Sequence, residues 1–214
     1  MQRLTQQICG STIAPLHRSS QSHLVTIEKM TDTNKLLNPD VVKSNLILSS
    51  LYLTAYELLK DAIIDNLRGF FSFDYKDGKA VPDEQYKDQV TRAHKDLMHA
   101  SCLWLQYNGV ITESDVEEIE NIRKHRNQIA HELPKLLVDA DLNLNVGYLV
   151  QIRELLEKIE VWWVKNVHIP TNPDFDDVEV NEKDIHPGRV VVLDYITAII
   201  SSDNSQPDNS DYDK

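Results

Sequence analysis

The sequence predicts an all-α protein, an up-and-down bundle of four to five helices, on three observations. Apolar residues recur at helical spacing over several long stretches. The segments between them are short and rich in turn residues. No two runs form a convincing strand pair. Length agrees, because 214 residues suffice for one well-buried core and are few for two full domains once polar ends are set aside. With 41% hydrophobic and 26% charged residues, and only 6 Gly and 8 Pro, the composition excludes collagen-like and wholly disordered chains.

The elements follow in order. Residues 1–35 are rich in Ser, Thr and Gln and hold Arg3, Arg18 and Lys29 with no acid before Glu28. They are expected to be a disordered leader or a mis-assigned start with Met30 as the initiator. Residues 36–168 are the expected helical bundle. Its first helix begins near Pro39, with Asn38 or Asp40 as cap, and carries Val42, Leu46, Leu51, Ala55, Leu58, Leu59, Ala62, Ile63 and Leu67 to an end near Gly69-Phe70-Phe71. Ser72 to Pro82, with Asp77-Gly78, reads as a turn-rich connector. A second helix is expected from Asp83 to Tyr107, closed by a left-handed cap at Asn108-Gly109. Thr112 and Asp115 have the spacing of a capping box and open a third helix that runs to about Leu137. A polar turn through Asp139 to Asn143 leads to a fourth helix, Val146 to Asn166. Residues 169–200 are expected to be an acidic extension with one packed segment, Val190 to Ile200, either a short helix or an extended strip. Residues 201–214 read as a disordered tail.

Charge and cysteine narrow the function classes. The formal charge is −12. From Thr171 to Lys214 eleven acids face Lys183, Arg189 and Lys214, so 3 − 11 = −8 of that charge sits in the last segment. Net charge therefore does not exclude an RNA partner for the helical body. Cys9 and Cys102 form no C-x-x-C pair and suggest neither a disulfide framework nor a zinc knuckle. No run reaches the roughly 18 apolar residues of a spanning helix, so no membrane partner is expected and the compartment expected is a reducing cytoplasm.

The third helix contains Arg123-Lys124-His125-Arg126-Asn127-Gln128-Ile129-Ala130-His131-Glu132. At about 100° per residue, Ile119, Ile122, Arg126, Ile129, Leu133 and Leu136 share one side, so Arg126 interrupts an apolar stripe. A guanidinium there snorkels, pairs with an acid of the bundle, or faces a surface that supplies anions. His131 lies about 140° around from Arg126. Between their directions, Ala130 is small enough to leave a shallow groove and Asn127 sits one turn before His131, where it can fix the imidazole tautomer. Pro134 cannot donate to Ala130 and should loosen the helix just beyond.

Arg and His on one groove suit phosphodiester chemistry. Imidazole can move a proton on or off a ribose hydroxyl near neutral pH, and Arg can hold the phosphate as charge develops. One His and one Arg are sparse for this, so a second copy across a two-fold axis would complete the site. Arg123, Lys124 and His125 are the residues expected to contact RNA phosphates, with a solvated basic face as the alternative. Asp96-x-x-His99 lacks matching partners for a bundle metal site and reads as an exposed pair. Trp162 and Trp163 suit packing more than stacking on bases.

Arg126-Asn127-x-x-x-His131 resembles the R-x4-6-H motif of HEPN domains, and Ala130 and Glu132 extend it to the R-N-x-x-A-H-E form common among them. The resemblance covers about Pro39 to Val167. It implies an α-helical bundle and a homodimeric endoribonuclease that needs no metal or other cofactor, in a toxin-antitoxin or antiviral defence system whose antitoxin or defence protein would be a further partner. The catalytic residues it implies are Arg126, His131 and Asn127. It also implies an alternative, since many HEPN domains serve only as interaction or scaffold modules. Leu133 departs from the family: toxins silenced by nucleotidyltransferase antitoxins carry Tyr there.

Overall fold

The computed structural model describes residues 38–138, 144–176 and 178–203. The protein is predominantly helical, as the periodicity predicts. Helix α1 (Pro39–Phe70) starts with Pro39 in its first turn, and Asn38 rather than Asp40 is its cap: Oδ1 of Asn38 accepts from the Asp40 and Val41 backbone N–H groups at 3.1 and 3.4 Å. Its buried face is Leu51, Tyr52, Ala55, Tyr56, Leu59, Ala62, Ile63 and Leu67.

Two expectations are corrected next. The connector Ser72 to Pro82 is an antiparallel hairpin of β1 (Ser72–Lys76) and β2 (Lys79–Pro82), in which Asp74 faces Val81, Tyr75 faces Ala80 and Lys76 faces Lys79. Asp77 (φ 52°) and Gly78 (φ 73°) both take the left-handed conformation that a two-residue hairpin turn requires, which is why Asp-Gly suits it. The single helix expected from Asp83 to Tyr107 is broken. Asp83 caps one turn (Glu84–Tyr86) that passes into a π-helical segment (Lys87–Thr91), and helix α2 (Leu97–Tyr107) starts afresh. The break falls where the Asp96 carboxylate accepts the His99 N–H at 2.9 Å, the capping role that aspartate fills better than an interior position. Gly109, at φ 71°, ends α2 as expected.

Helix α3 (Glu113–Val138) opens on the expected box: Asp115 N–H donates to Thr112 Oγ1 at 3.2 Å, and Thr112 N–H to Asp115 Oδ2 at 2.7 Å. It continues through Pro134. Helix α4 (Gly147–Trp163) extends through a π-helical turn (Val164–His168), and α5 (Gly188–Asp203) makes the last packed segment a helix rather than a strip.

Helix α1 contacts each of α2, α3, α4 and α5. Leu59, Ile63, Leu105, Ile122, Ile152, Leu156 and Ile159 fill the centre. At one end Trp104 and Trp163 lie parallel with centroids 6.0 Å apart, walled by Phe70 and Phe71. Among the described residues no helix is long and apolar enough to cross a membrane, and no three His, Cys, Asp or Glu side chains are grouped to hold a metal ion. The expected leader, Cys9, the turn Asp139 to Asn143 and the tail from residue 204 lie outside the described residues.

Candidate functional site

Helix α3 touches α1, α2 and α4, and Arg123, His125 and Arg126 of its cationic stretch each meet a different neighbour. Ile119, Ile122 and Ile129 are buried and Leu133 is half-buried, which gives Arg126 the flanks that the stripe predicts. Of the fates open to Arg126, the structure shows pairing with an acid. Its Nη2 donates to Glu57 Oε1 of α1 at 2.9 Å, and its guanidinium carbon sits 5.4 Å from the centroid of the Tyr56 ring. Its Nη1 donates to Asn127 Oδ1 at 3.4 Å, and its Nε is buried with no partner among the described residues. Glu57 also accepts from Lys60 Nζ at 2.6 Å, and these two cations hold its carboxyl below the usual carboxylate range. About a third of the Arg126 side chain stays open to solvent.

The neighbouring cations are held elsewhere. Arg123 makes a bidentate pair with Asp96, at 3.0 and 2.9 Å, and approaches Glu120 at 3.6 Å. The Asp96 carboxyl is held low by the His99 backbone N–H and by Arg123. The His125 ring stands edge-on to Tyr52 (centroids 5.0 Å) and tilted to Tyr148 (5.2 Å), and its Nε2 accepts from Asn145 N–H at 3.3 Å. Burial pushes the His125 pKa down, consistent with an unprotonated Nε2. Tyr52 donates to the Ile122 carbonyl at 3.0 Å, and burial pushes its hydroxyl pKa up. Lys124 is exposed at the edge of a cavity of about 360 Å³ with His99, Glu117 and Glu120.

Past Arg126 the helix is open: Asn127, Ala130 and His131 are all exposed. Asn127 turns its carboxamide oxygen to Arg126 rather than to His131. Arg126 is thus a braced, partly open guanidinium, and His131 an accessible imidazole five residues along the same helix. An incoming anion would compete with Glu57 for Arg126.

Sequence reasoning misses Glu57, Tyr56, Tyr52 and Tyr148, whose distances along the chain leave no local signal. Asp96 had one, an aspartate directly before an apolar run. Trp163 is buried against Trp104, and Trp162 is half-buried on the wall of a groove of about 1020 Å³ along α4. Cys102 is buried, and its thiol is pushed up to about 12 by desolvation, with Asp96 and Glu120 adding to it, so it is no nucleophile near neutral pH. Compared with models of protein families, with curated proteins and with solved structures, the chain finds no match.

Proposed function

We propose that this protein is a HEPN-type endoribonuclease that cuts RNA as a homodimer in the cytoplasm, within a defence or toxin-antitoxin type system. The observation that carries this reading is the pairing, on one helix of an all-α protein, of a braced but partly open Arg126 with an exposed His131. In this scheme the helices form an up-and-down bundle and two copies of α3 meet across a two-fold axis. His131 takes the proton of a ribose 2′-hydroxyl as that oxygen attacks the neighbouring phosphorus. The bond to the 5′-oxygen breaks, and the partner subunit's His131 returns a proton to the leaving oxygen. Products are a 2′,3′-cyclic phosphate and a 5′-hydroxyl end. Arg126 leaves Glu57 for the phosphate and bears the charge of the transition state, while Asn127 orients the guanidinium. Leu133 argues against silencing by nucleotidyl transfer.

A second reading is favoured by the Arg126–Glu57 pair itself, because a guanidinium already neutralised at 2.9 Å suits a bracing role. On that reading the protein is a non-catalytic HEPN interaction module. Incubation with total RNA and with tRNA in EDTA separates the two. The ribonuclease reading expects cleavage that falls by about 100-fold or more in His131→Ala and in Arg126→Ala. Equal activity in all three proteins removes it, and absence of cleavage with a partner protein recovered on pull-down leaves the interaction module.

A further inference from the structure

Glu57 lies between two cations that come from different helices. Its Oε1 accepts from Arg126 Nη2 of α3 at 2.9 Å, and its Oε2 accepts from Lys60 Nζ, one turn further along α1, at 2.6 Å. Each oxygen of one carboxylate thus has its own cationic donor. Proteins hold foreign oxyanions in this way, and here the chain itself supplies the anion. A phosphate group presents two oxygens at much the same separation as a carboxylate, which is why arginine and lysine take either. The gap between Lys60 and Arg126 that Glu57 fills is therefore one that a phosphate fits.

The carboxylate is also exchangeable. The side chains of Arg126, Lys60 and Glu57 are 32, 40 and 41% exposed, so the place between the cations is reached from solvent without opening the core. Ion pairs this open to water contribute little to stability, and the release of Glu57 costs the fold correspondingly little. Arg126 uses only two of its five guanidinium donors among the described residues, one of them on a long bond of 3.4 Å to Asn127. The Tyr56 ring, 5.4 Å from its guanidinium carbon, holds it in place when Glu57 leaves. Arg123 is committed to Asp96 and does not replace Lys60, while Asp61 also acts on Lys60 and limits how strongly the pair attracts an anion.

We propose that Lys60 and Arg126 form a two-cation phosphate site in which Glu57 is the resident stand-in, displaced when a phosphate group binds. Lys60 is then a second phosphate-binding residue beside Arg126, and Glu57 is a built-in competitor that sets how readily the site fills. The inference rests on the ribonuclease reading only for the molecule that brings the phosphate, an RNA diester. Inorganic phosphate would be held by the same two cations.

The test is equilibrium dialysis of radiolabelled inorganic phosphate against the full chain at constant ionic strength. Glu57→Gln, which removes the charge and keeps the shape, is expected to bind phosphate about 10-fold more tightly than the parent. Glu57→Ala should bind at least as tightly, and circular dichroism should show both variants folded. Lys60→Ala added to Glu57→Gln should cancel the gain, whereas Lys60→Arg should keep it. A labelled oligouridine, measured by fluorescence anisotropy on the same variants carrying His131→Ala so that nothing is cut, follows the same order if an RNA diester is the source. If inorganic phosphate alone follows it, the site stands and its ligand is a free phosphate. The inference is overturned if neither Glu57 variant binds phosphate more tightly than the parent, or if Lys60→Ala leaves phosphate binding unchanged. Phosphate bound as expected, with RNA never cut by the unsubstituted protein, would keep this inference and remove the ribonuclease reading. RNA cut equally well by the parent, Lys60→Ala and Glu57→Gln would do the reverse.

Discussion

Helix α3 has two halves in opposite circumstances. From Thr112 to Arg126 four polar side chains tie the helix to its surroundings: Asp115 holds Thr112 and Lys158, Arg123 holds Asp96, His125 lies between two tyrosines, and Arg126 reaches Glu57. From Asn127 to Pro134 only Ile129 is buried, and Asn127, Gln128, Ala130, His131 and Pro134 face solvent. A stretch that looks like one cluster of charge is therefore a brace followed by an open end. The first half gives α3 its position; the second half, beyond the Arg126–Glu57 pair, is open to solvent.

Stability measurements can break this division. The largest effect is expected from Ile122→Ala, a fully buried side chain on the braced half, which should cost about 2–5 kcal/mol in urea denaturation. His131→Ala on the open half should change stability by no more than about 0.5 kcal/mol. Comparable losses at the two positions would erase the distinction.

Next in size is the Arg123–Asp96 pair. A double-mutant cycle with Arg123→Ala and Asp96→Ala should give a coupling of about 1–2 kcal/mol, since the pair is bidentate and only about a third of each side chain is exposed. A coupling near zero would mean that Arg123 belongs with the free cations and is available to RNA after all.

The smallest effect is a pH slope. The folded state lowers the His125 pKa, so the stabilisation that follows is complete above the unfolded value of about 6.5 and is lost as pH falls through the lowered folded value. Protonation would also set two donors, Nε2–H and Asn145 N–H, against each other. His125→Phe keeps an aromatic ring against Tyr52 and removes the titration, so its stability should fall less than that of the parent between pH 7 and 5. Parallel pH profiles would show that folding leaves the His125 titration unchanged.

What could be read from the sequence was what is local or periodic. The apolar repeat locates α1, α3 and α4; the Thr112–Asp115 spacing and Gly109 set two helix ends; the stripe marks Arg126 as out of place and leaves open snorkelling, pairing with an acid, or facing an anionic surface. The hairpin was missed because Asp77-Gly78 and Pro82 read equally well as a loop, and two short strands hold little of the alternation that distinguishes them. The apolar repeat on either side of Asp96 places it inside a helix, whereas its carboxylate gains more from the free N–H of His99 and from Arg123. Glu57 and Asp96 lie 69 and 27 residues from the arginines they pair with, and a single sequence carries no sign of contacts set by the packing of whole helices. For the site, the residue types were visible and their commitments were not.

Glu160 is buried on α4, and its Oε1 accepts from Asn66 Nδ2 of α1 at 3.2 Å and from Arg189 Nη1 of α5, while Arg189 also donates to Asn66 Oδ1. Arg153 of α4 reaches in turn to Asp194 of α5. The fifth helix is thus the counter-ion of the fourth. A truncation before Gly188 would leave a carboxylate inside the protein with no cation, at a cost of several kcal/mol. The stretch of resemblance that ends at Val167 thus stops between two helices that ion pairs join.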